Sequence, residues 1–243
     1  MKTGIITFIA NRHWLNADSI SSPKPASKFI PKWYSIADRF FKNEKEEYII
    51  DADGGKIPTW KSCPAILDGF TSGYTLVTPC DILFYLDQNN KINVKIQDEK
   101  YDDFCVIRSR IDGFHNPKGY YEESFAWVSD WGISTPDGYS CIYLTPINRF
   151  DLPFVNTTGI IDTDKVSLPG SLPFFLIDGW TGLLPAGTPY LQVIPFKREN
   201  WQSSLQIDKA GDIYARIRES RKTFRVPNGG VYLNKFWEKR EYK

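Results

Sequence analysis

The stretch that decides the fold is ILFYLDQNNKINVKI, residues 82–96. It begins with five β-forming residues and ends with a segment, Lys91 to Ile96, in which apolar and polar residues alternate. Such alternation is typical of a strand with one face in the core and the other in solvent. Asn89 and Asn90, between the two segments, are turn residues. The stretch therefore predicts two short strands separated by a turn.

The same pattern continues on both sides, from Gly69 to Pro195. Short β-rich pieces alternate there with clusters of Gly, Pro, Asn and Asp. Many short strands with frequent turns predict a mainly β protein, an antiparallel sandwich or barrel, and not a series of βαβ units. The clearest further strand candidates are Tyr74–Val77, Tyr139–Leu144 and Leu191–Ile194.

We expect three parts along the chain. Residues 1–67 form an N-terminal arm with a short helix over about 33–43, packed on the core. Residues 68–201 form the β core. Residues 202–243 form a C-terminal helix, over about 209–222, and a tail.

The tail carries large aromatic residues with little chain left to cover them. Phe236 and Trp237 are followed by only six residues, so we expect a neighbouring subunit to bury them.

A basic cluster from Arg216 to Arg225 precedes the tail and is either a solvated helix face or a contact for phosphates. The turn Asp51-Ala52-Asp53-Gly54-Gly55 predicts a hairpin, because the further ligands of a calcium loop are missing.

Composition excludes several function classes. The formal net charge is only +1, which argues against a protein that coats nucleic-acid phosphates. Two histidines, His13 and His115, leave little material for histidine-based catalysis or metal binding. The four cysteines form no CxxC pair, which argues against a zinc site, and they predict reduced, buried thiols, with two disulfides in a secreted chain as the less favoured alternative. No apolar run reaches the roughly 18 residues that span a bilayer, so neither a membrane protein nor a secreted one is expected.

Four segments, in this order, resemble motifs of the dUTPase and dCTP deaminase superfamily, which has the β-clip fold. The first resembles the family's Ala-Gly-Tyr-Asp-Leu motif, the second the strand and turn before its second motif, the third its Gly-Val-Ile-Asp-x-Asp motif, and the fourth its Gly turn before Ala-Gln-Leu-Ile. These segments are Ser72–Ile82, Gly132–Ser140, Gly159–Asp164 and Leu184–Pro195. The resemblance implies a β-clip core with an intersubunit pocket, and hence a homo-oligomer, such as a trimer.

The resemblance also implies a set of site residues. Asp162 matches the carboxylate that orients a water or a sugar hydroxyl, and it is our candidate catalytic residue. Asp164, Arg149 and Gln192 are the candidate ligand-binding residues, with Gln192 in the place of a glutamine that binds a phosphate or a backbone group. We expect no metal site and no cofactor, except Mg²⁺ if the chain hydrolyses nucleotides.

The departures from the family pattern concern the residues that carry the chemistry. Thr75 stands where the family has the first-motif Asp, and Lys165 stands where it has the aromatic residue that stacks on deoxyribose. The Arg-Ser pair that grips phosphates is replaced by residues 145–149, Thr-Pro-Ile-Asn-Arg. The sequence therefore favours loss of nucleotide hydrolysis.

Three functional hypotheses follow. The favoured one is a β-clip protein without catalysis that acts as a binding or structural protein. Residues 136–201 are similar to uncharacterised proteins of marine tailed phages, which points to a viral source. We then expect the protein to bind copies of itself or other virion proteins, in a virion or in the host cytoplasm. The second is a nucleotide-processing enzyme with a rewired pocket. The third is an unrelated sandwich whose Trp127 and Trp131 stack on sugars, although core packing fits these residues better.

Overall fold

We analysed a computed structural model of the chain, which describes residues 4–10, 22–52, 54–108, 115–168, 170–216 and 236–243. The chain divides into two compact units. The first comprises residues 1–29, 73–198 and 243, and the second comprises residues 30–72 and 199–242.

The protein is mainly β, with 37% of its residues in strands and 14% in helices. All strand pairs are antiparallel, as expected from the short strands and frequent turns. The described strands are β1 (Thr7–Ala10), β2 (Lys24–Pro25), β3 (Tyr74–Val77), β4 (Ile82–Leu86), β5 (Ile92–Ile96), β6 (Cys105–Arg108), β7 (Tyr120–Val128), β8 (Trp131–Ser134), β9 (Tyr139–Leu144), β10 (Phe154–Asn156), β11 (Gly159–Ile161), β12 (Ser171–Ile177), β13 (Gly182–Leu184) and β14 (Pro189–Lys197).

Four sheets organise these strands, all in the first unit. The strand orders are β11-β9-β14-β3-β2, β10-β12-β7-β6, β13-β4-β5 and β1-β8. Within the described ranges no sheet closes into a barrel, so the sandwich-or-barrel expectation holds only in its coarser form, a mainly antiparallel β protein.

Residues 82–96 form the β4–β5 hairpin. Ile82 pairs with Ile96 and Leu86 with Ile92, and Asn90 takes a left-handed backbone with φ of 62°. The carboxylate of Asp87 accepts the backbone N–H groups of Asn89 and Lys91, at 2.8 and 3.0 Å. The backbone bond from Lys91 contributes most to lowering the pKa of Asp87. This side chain therefore fixes the turn that the Asn pair predicted.

Aromatic side chains fill the core between the sheets. Trp127 is fully buried and stacks on Phe174 with ring centroids 3.9 Å apart. Its indole N–H donates to Asn156 Oδ1 at 3.0 Å, and Asn156 Nδ2 donates to the carbonyl of Tyr190 at 2.7 Å. Burial of Trp127 excludes the proposed sugar platform of Trp127 and Trp131.

The second unit contains two α-helices whose two ends both lie within the described residues, α1 (Lys32–Ile36) and α2 (Pro64–Thr71). Helix α1 is shorter than the predicted 33–43. It ends because Ala37 takes an extended backbone, with φ of −60° and ψ of 141°, and the chain then enters β pairing at Phe40. The aromatic residues that suggested a longer helix serve this pairing instead.

Residues 40–58 form a small closed module from three segments spaced eight residues apart. Phe41 N–H donates to Ile57, Ile57 N–H donates to Ile49, and Ile49 N–H donates to Phe41, at 2.9, 3.1 and 3.0 Å. The turns that join the segments are equivalent: Asn43 Oδ1 and Asp51 Oδ1 each accept the backbone N–H four residues ahead, at 3.0 Å. The hairpin predicted around Asp51 is confirmed. The eight-residue spacing of the three segments was not predicted from the sequence.

The tail has partners within its own unit. Trp237 Nε1 donates to Asp68 Oδ2 on α2 at 3.1 Å, and Arg240 reaches the same oxygen at 3.4 Å. Trp33 packs edge-on against Tyr34 and Phe70. The expected contact of Trp237 with a neighbouring subunit stays a prediction, and Phe236 is 69% exposed.

Of the predicted C-terminal helix, residues 212–216 are helical, and Asp208 accepts the N–H groups of Asp212 and Ile213. Residues 217–222 and all of the basic cluster beyond Arg216 lie outside the described residues, as does His13. His115 is exposed and outside any strand or helix. No helix in the described part of the chain is long and apolar enough to cross a membrane.

Candidate functional site

Asp162 and Asp164 lie in the turn that ends β11. The backbone N–H groups of Lys165 and Val166 both donate to the carbonyl of Asp162, at 2.9 Å. This tight turn brings the two carboxylates, separated by one residue, to the same end of the five-stranded sheet.

Arg198 joins both carboxylates. It directly follows β14, whose last residue, Lys197, pairs with Tyr139 at the start of β9. Its Nη1 atom lies 2.8 Å from Asp164 Oδ1 and 3.1 Å from Asp162 Oδ1, and its Nη2 atom donates to Asp164 Oδ2. The pairing with Asp164 is bidentate, the strongest arrangement of a guanidinium and a carboxylate.

Ser140 on β9 completes the cluster. Its hydroxyl donates to Asp162 Oδ1 at 2.7 Å and accepts from Arg198 Nη1 at 2.9 Å. The backbone N–H of Gly138 donates to Asp164 Oδ2 at 2.8 Å. We call Arg198, Asp162, Asp164 and Ser140 the Arg198 clamp, because these four residues tie the ends of β9, β11 and β14 together.

The clamp keeps both carboxylates ionised. Hydrogen bonds from Arg198 lower the pKa of Asp164 to about 2, and the hydrogen bond from Ser140, with the charge of Arg198, lowers the pKa of Asp162. The side chain of Asp164 is only 4% exposed, whereas that of Asp162 is 48% exposed. Neither group is a proton donor near neutral pH, which removes general acid catalysis from both.

Gln192 lies in a different network. It is 1% exposed on β14, and its Oε1 accepts the backbone N–H of Ile147 at 2.7 Å. In this loop Asn148 takes a left-handed backbone, with φ of 60°, and Arg149 N–H donates to Pro146 at 3.2 Å. Gln192 therefore holds the loop that carries Arg149.

Arg149 forms a bidentate pair with Asp151, with both N–O distances 2.8 Å. Its Nη1 atom also donates to the carbonyl of Phe29 at 3.5 Å. It borders a cleft of about 420 Å³ whose lining includes Phe150, Asp151, Trp180, Leu183 and Thr188. The side chain of Arg149 is only 13% exposed, so most of its donors are committed inside the chain.

The candidate residues thus divide into two networks. Asp162 and Asp164 meet in the Arg198 clamp. Gln192, on β14, accepts a hydrogen bond from the loop that follows β9, and Arg149 lies in that loop. Sequence reasoning missed Arg198 as a site residue, because its partners lie 34 and 36 positions earlier and only the strand register brings them together. Ser140 was missed for the same reason.

The clamp leaves few ligands for a magnesium ion. Arg198 already pairs with Asp164 Oδ1, Asp164 Oδ2 and Asp162 Oδ1, so Asp162 Oδ2 is the one carboxylate oxygen of the two aspartates that is outside this pairing. The described residues contain no group of three or more His, Cys, Asp or Glu side chains placed to hold a metal.

The buried thiols are not nucleophiles. All four cysteines are free, and three of them, Cys80, Cys105 and Cys141, are buried. Burial raises the pKa of Cys80 to about 11 and also raises the pKa values of Cys105 and Cys141. A thiol must ionise to attack, so these three are inert near neutral pH. Cys63 departs from the expectation of buried thiols, because it is exposed.

No protein-family model matches the chain, and no curated protein matches it significantly.

Proposed function

We propose that the protein is a non-catalytic binding or structural protein built on a variant of the β-clip fold. The observation that carries this proposal is that Arg198 engages most of the carboxylate oxygens of the two candidate aspartates. It faces both oxygens of Asp164 and Oδ1 of Asp162. A catalytic carboxylate must present an oxygen to a water or a substrate hydroxyl within hydrogen-bond reach, and of the four oxygens only Asp162 Oδ2 lies outside this pairing.

The strand arrangement supports the β-clip part of the proposal. The four segments that resemble the family motifs contain β3, the start of β9, β11 and most of β14, which belong to one sheet. The second segment also contains most of β8, which lies in the two-stranded sheet. Gln192 pairs in register with Thr75, which stands in place of the first-motif Asp. Both side chains are buried, so this part of the sheet serves packing.

The alternative, a nucleotide-processing enzyme, draws on a single feature. Asp162 is half exposed and ionised, so its outer face is open to a ligand. A nucleotide would also require cations for its phosphates. The arginines of the two networks, Arg198 and Arg149, are already paired with Asp164 and Asp151.

The test is a turnover assay. The purified protein is incubated with dUTP, dCTP and the other nucleoside triphosphates in the presence of Mg²⁺, and the products are separated by ion-exchange chromatography. We expect no product above the level of a protein-free control. Turnover that disappears in Asp162→Ala and persists in Asp137→Ala, a change of an exposed turn carboxylate, would overturn the proposal.

The viral form of the proposal rests on the similarity to phage proteins. It predicts that the protein, expressed during infection, sediments with particles through a density gradient. Recovery only in the soluble fraction would remove a virion role and leave a binding role in the infected cell.

A further inference from the structure

Phe150 is a large apolar side chain that a well-fixed loop holds out in solvent. It is 74% exposed. Arg149 and Asp151, on either side of it, form their bidentate pair with each other, and Leu152 is buried. The backbone N–H of Leu152 also donates to the carbonyl of Arg149 at 3.2 Å. A ring that is ordered before binding loses little conformational entropy when a partner covers it.

This loop lines the cleft of about 420 Å³ together with the end of β12, strand β13 and the turns that adjoin them. Most of the other lining side chains are apolar, and they include Pro153, Ile177, Trp180, Leu183 and Pro185. The charged side chains that line the cleft, Arg149 and Asp151, are paired with each other. Aromatic and apolar side chains with an arginine, and without an unpaired charge, are typical of the core of a protein-binding surface.

Trp180 brings a hydrogen-bond donor to the cleft. Its ring packs on the buried ring of Phe84, with centroids 5.8 Å apart, and lies beside Gly182, where a β-carbon would be 3.6 Å from the indole. Within the described ranges no acceptor pairs with the indole N–H of Trp180, whereas that of Trp127 is bonded to Asn156. A partner that covers the cleft must therefore supply an acceptor.

The lining discriminates between classes of ligand. A nucleotide or another anion would bring its charge beside Asp151, and the adjacent arginine is already paired. A sugar would bury hydroxyl groups against Ile177 and Leu183, which offer no hydrogen bonds, and unpaired polar groups are costly to bury. An α-helix uses its backbone carbonyls internally, whereas an extended peptide leaves them free to accept from Trp180. An uncharged, extended peptide with apolar side chains fits all three conditions.

We propose that this cleft binds an uncharged, proline-rich segment of a partner protein in the polyproline II conformation. Phe150 and Trp180 would contact the apolar rings of the segment, and Trp180 Nε1 would donate to one of its carbonyls. Grooves lined by aromatic residues recognise such segments, because the polyproline II helix is formed before binding and loses little entropy. The cleft volume of about 420 Å³ lies within the range of roughly 300–1,000 Å³ that is usual for binding sites.

The segment gives the binding role proposed above a partner of defined chemistry. The cleft shares no lining residue with the Arg198 clamp, so peptide binding and nucleotide turnover are tested by separate experiments and fail separately. A lack of turnover with no peptide binding would leave the non-catalytic assignment in place and remove this partner.

The first test is a selection from a display library of random short peptides. The library is selected on the immobilised full chain and counter-selected on Phe150→Asp, and soluble oligosaccharides are titrated into the same chain by calorimetry. The wild type should retain peptides that are rich in proline and carry no net charge. Three results would overturn the proposal: no enrichment over Phe150→Asp, a charged consensus, or oligosaccharide binding that is lost in Phe150→Asp.

The second test measures the affinity of one selected peptide for single variants by calorimetry. Phe150→Ala should raise the dissociation constant about 30-fold or more, because aromatic anchors dominate interface energies. Trp180→Phe keeps a ring but removes the donor, and it should raise the constant about 3–10-fold. Phe236→Ala, a change of a phenylalanine that is 69% exposed and does not line the cleft, should leave the constant unchanged.

The folded state of each variant is checked by circular dichroism and thermal unfolding. Because Phe150 is exposed, its replacement should not alter the melting temperature, so a loss of binding in Phe150→Ala reports on the contact itself. Equal affinity of the wild type and Phe150→Ala for the selected peptide would overturn the proposal.

Discussion

Replacing Gln192 separates its structural role from a role in ligand binding. In the structure its side chain is 1% exposed and accepts the backbone N–H of Ile147 at 2.7 Å. Gln192→Leu keeps most of the volume but removes the acceptor, and an unsatisfied buried amide costs about 1–3 kcal/mol. Gln192→Ala also leaves a void, which brings the expected loss to about 2–4 kcal/mol.

The assay is equilibrium unfolding in urea, followed by tryptophan fluorescence, with thermal unfolding alongside. For a chain of this size, the Ala variant should lower the melting temperature by roughly 4–16 °C. Gln97→Ala, a change of an exposed glutamine, should stay within about 0.5 kcal/mol of the wild type. If Gln192→Ala is as stable as this control, then Gln192 does not hold the loop of Arg149 and the reasoning is refuted.

Three further predictions address the clamp, the core and the thiols. The pKa of Asp164 is about 2 in the folded protein and about 3.9 in the unfolded chain, so its contribution to stability is present above about pH 4 and is lost as the pH falls to about 2. Asp164→Asn should therefore reduce the loss of stability between about pH 4 and about pH 2, measured by unfolding at a series of pH values. The same loss of stability in the variant would contradict the assignment. Asn156→Ala should cost about 2–4 kcal/mol, since it strands the indole N–H of Trp127 and a buried carbonyl, while Asn200→Ala, on an exposed residue, should cost little in the same urea titration. A maleimide should label one thiol per native chain, at Cys63, and four in denaturant; rapid native labelling of a second thiol would show that the burial is wrong.

Local features of the fold were predictable from the sequence. The β4–β5 hairpin follows from alternation and from turn residues whose side chains bond to their own backbone, as Asp87 does. The turn at Asp51 follows for the same reason. These side-chain hydrogen bonds join residues no more than four positions apart, so the local sequence pattern contains them.

Features that depend on distant pairing were not predictable in the same way. The module of residues 40–58 closes because Phe41 bonds to Ile57, 16 positions away, and this pairing competes successfully with the helical pattern of the preceding residues. Helical spacing of aromatic residues therefore predicted a helix over about 33–43, whereas α1 has five residues. Tertiary pairing overrides local propensity here.

The candidate site shows the same division. The sequence identified Asp162 and Asp164 as a notable pair, but it could not show what faces them. The answer depends on the register between β9 and β14, which brings Arg198 beside Ser140, and on that between β9 and β11. Without that register, an arginine at the end of a strand is an ordinary surface residue.

The central claim is that Asp164 and Arg198 act together as a structural pair. A double-mutant cycle of Asp164→Asn and Arg198→Gln, measured by unfolding in urea at pH 7, tests it most directly. We predict that each single change destabilises the protein and that the double variant is far less destabilised than the sum of the two. Additive effects, or single variants as stable as the wild type, would contradict the claim.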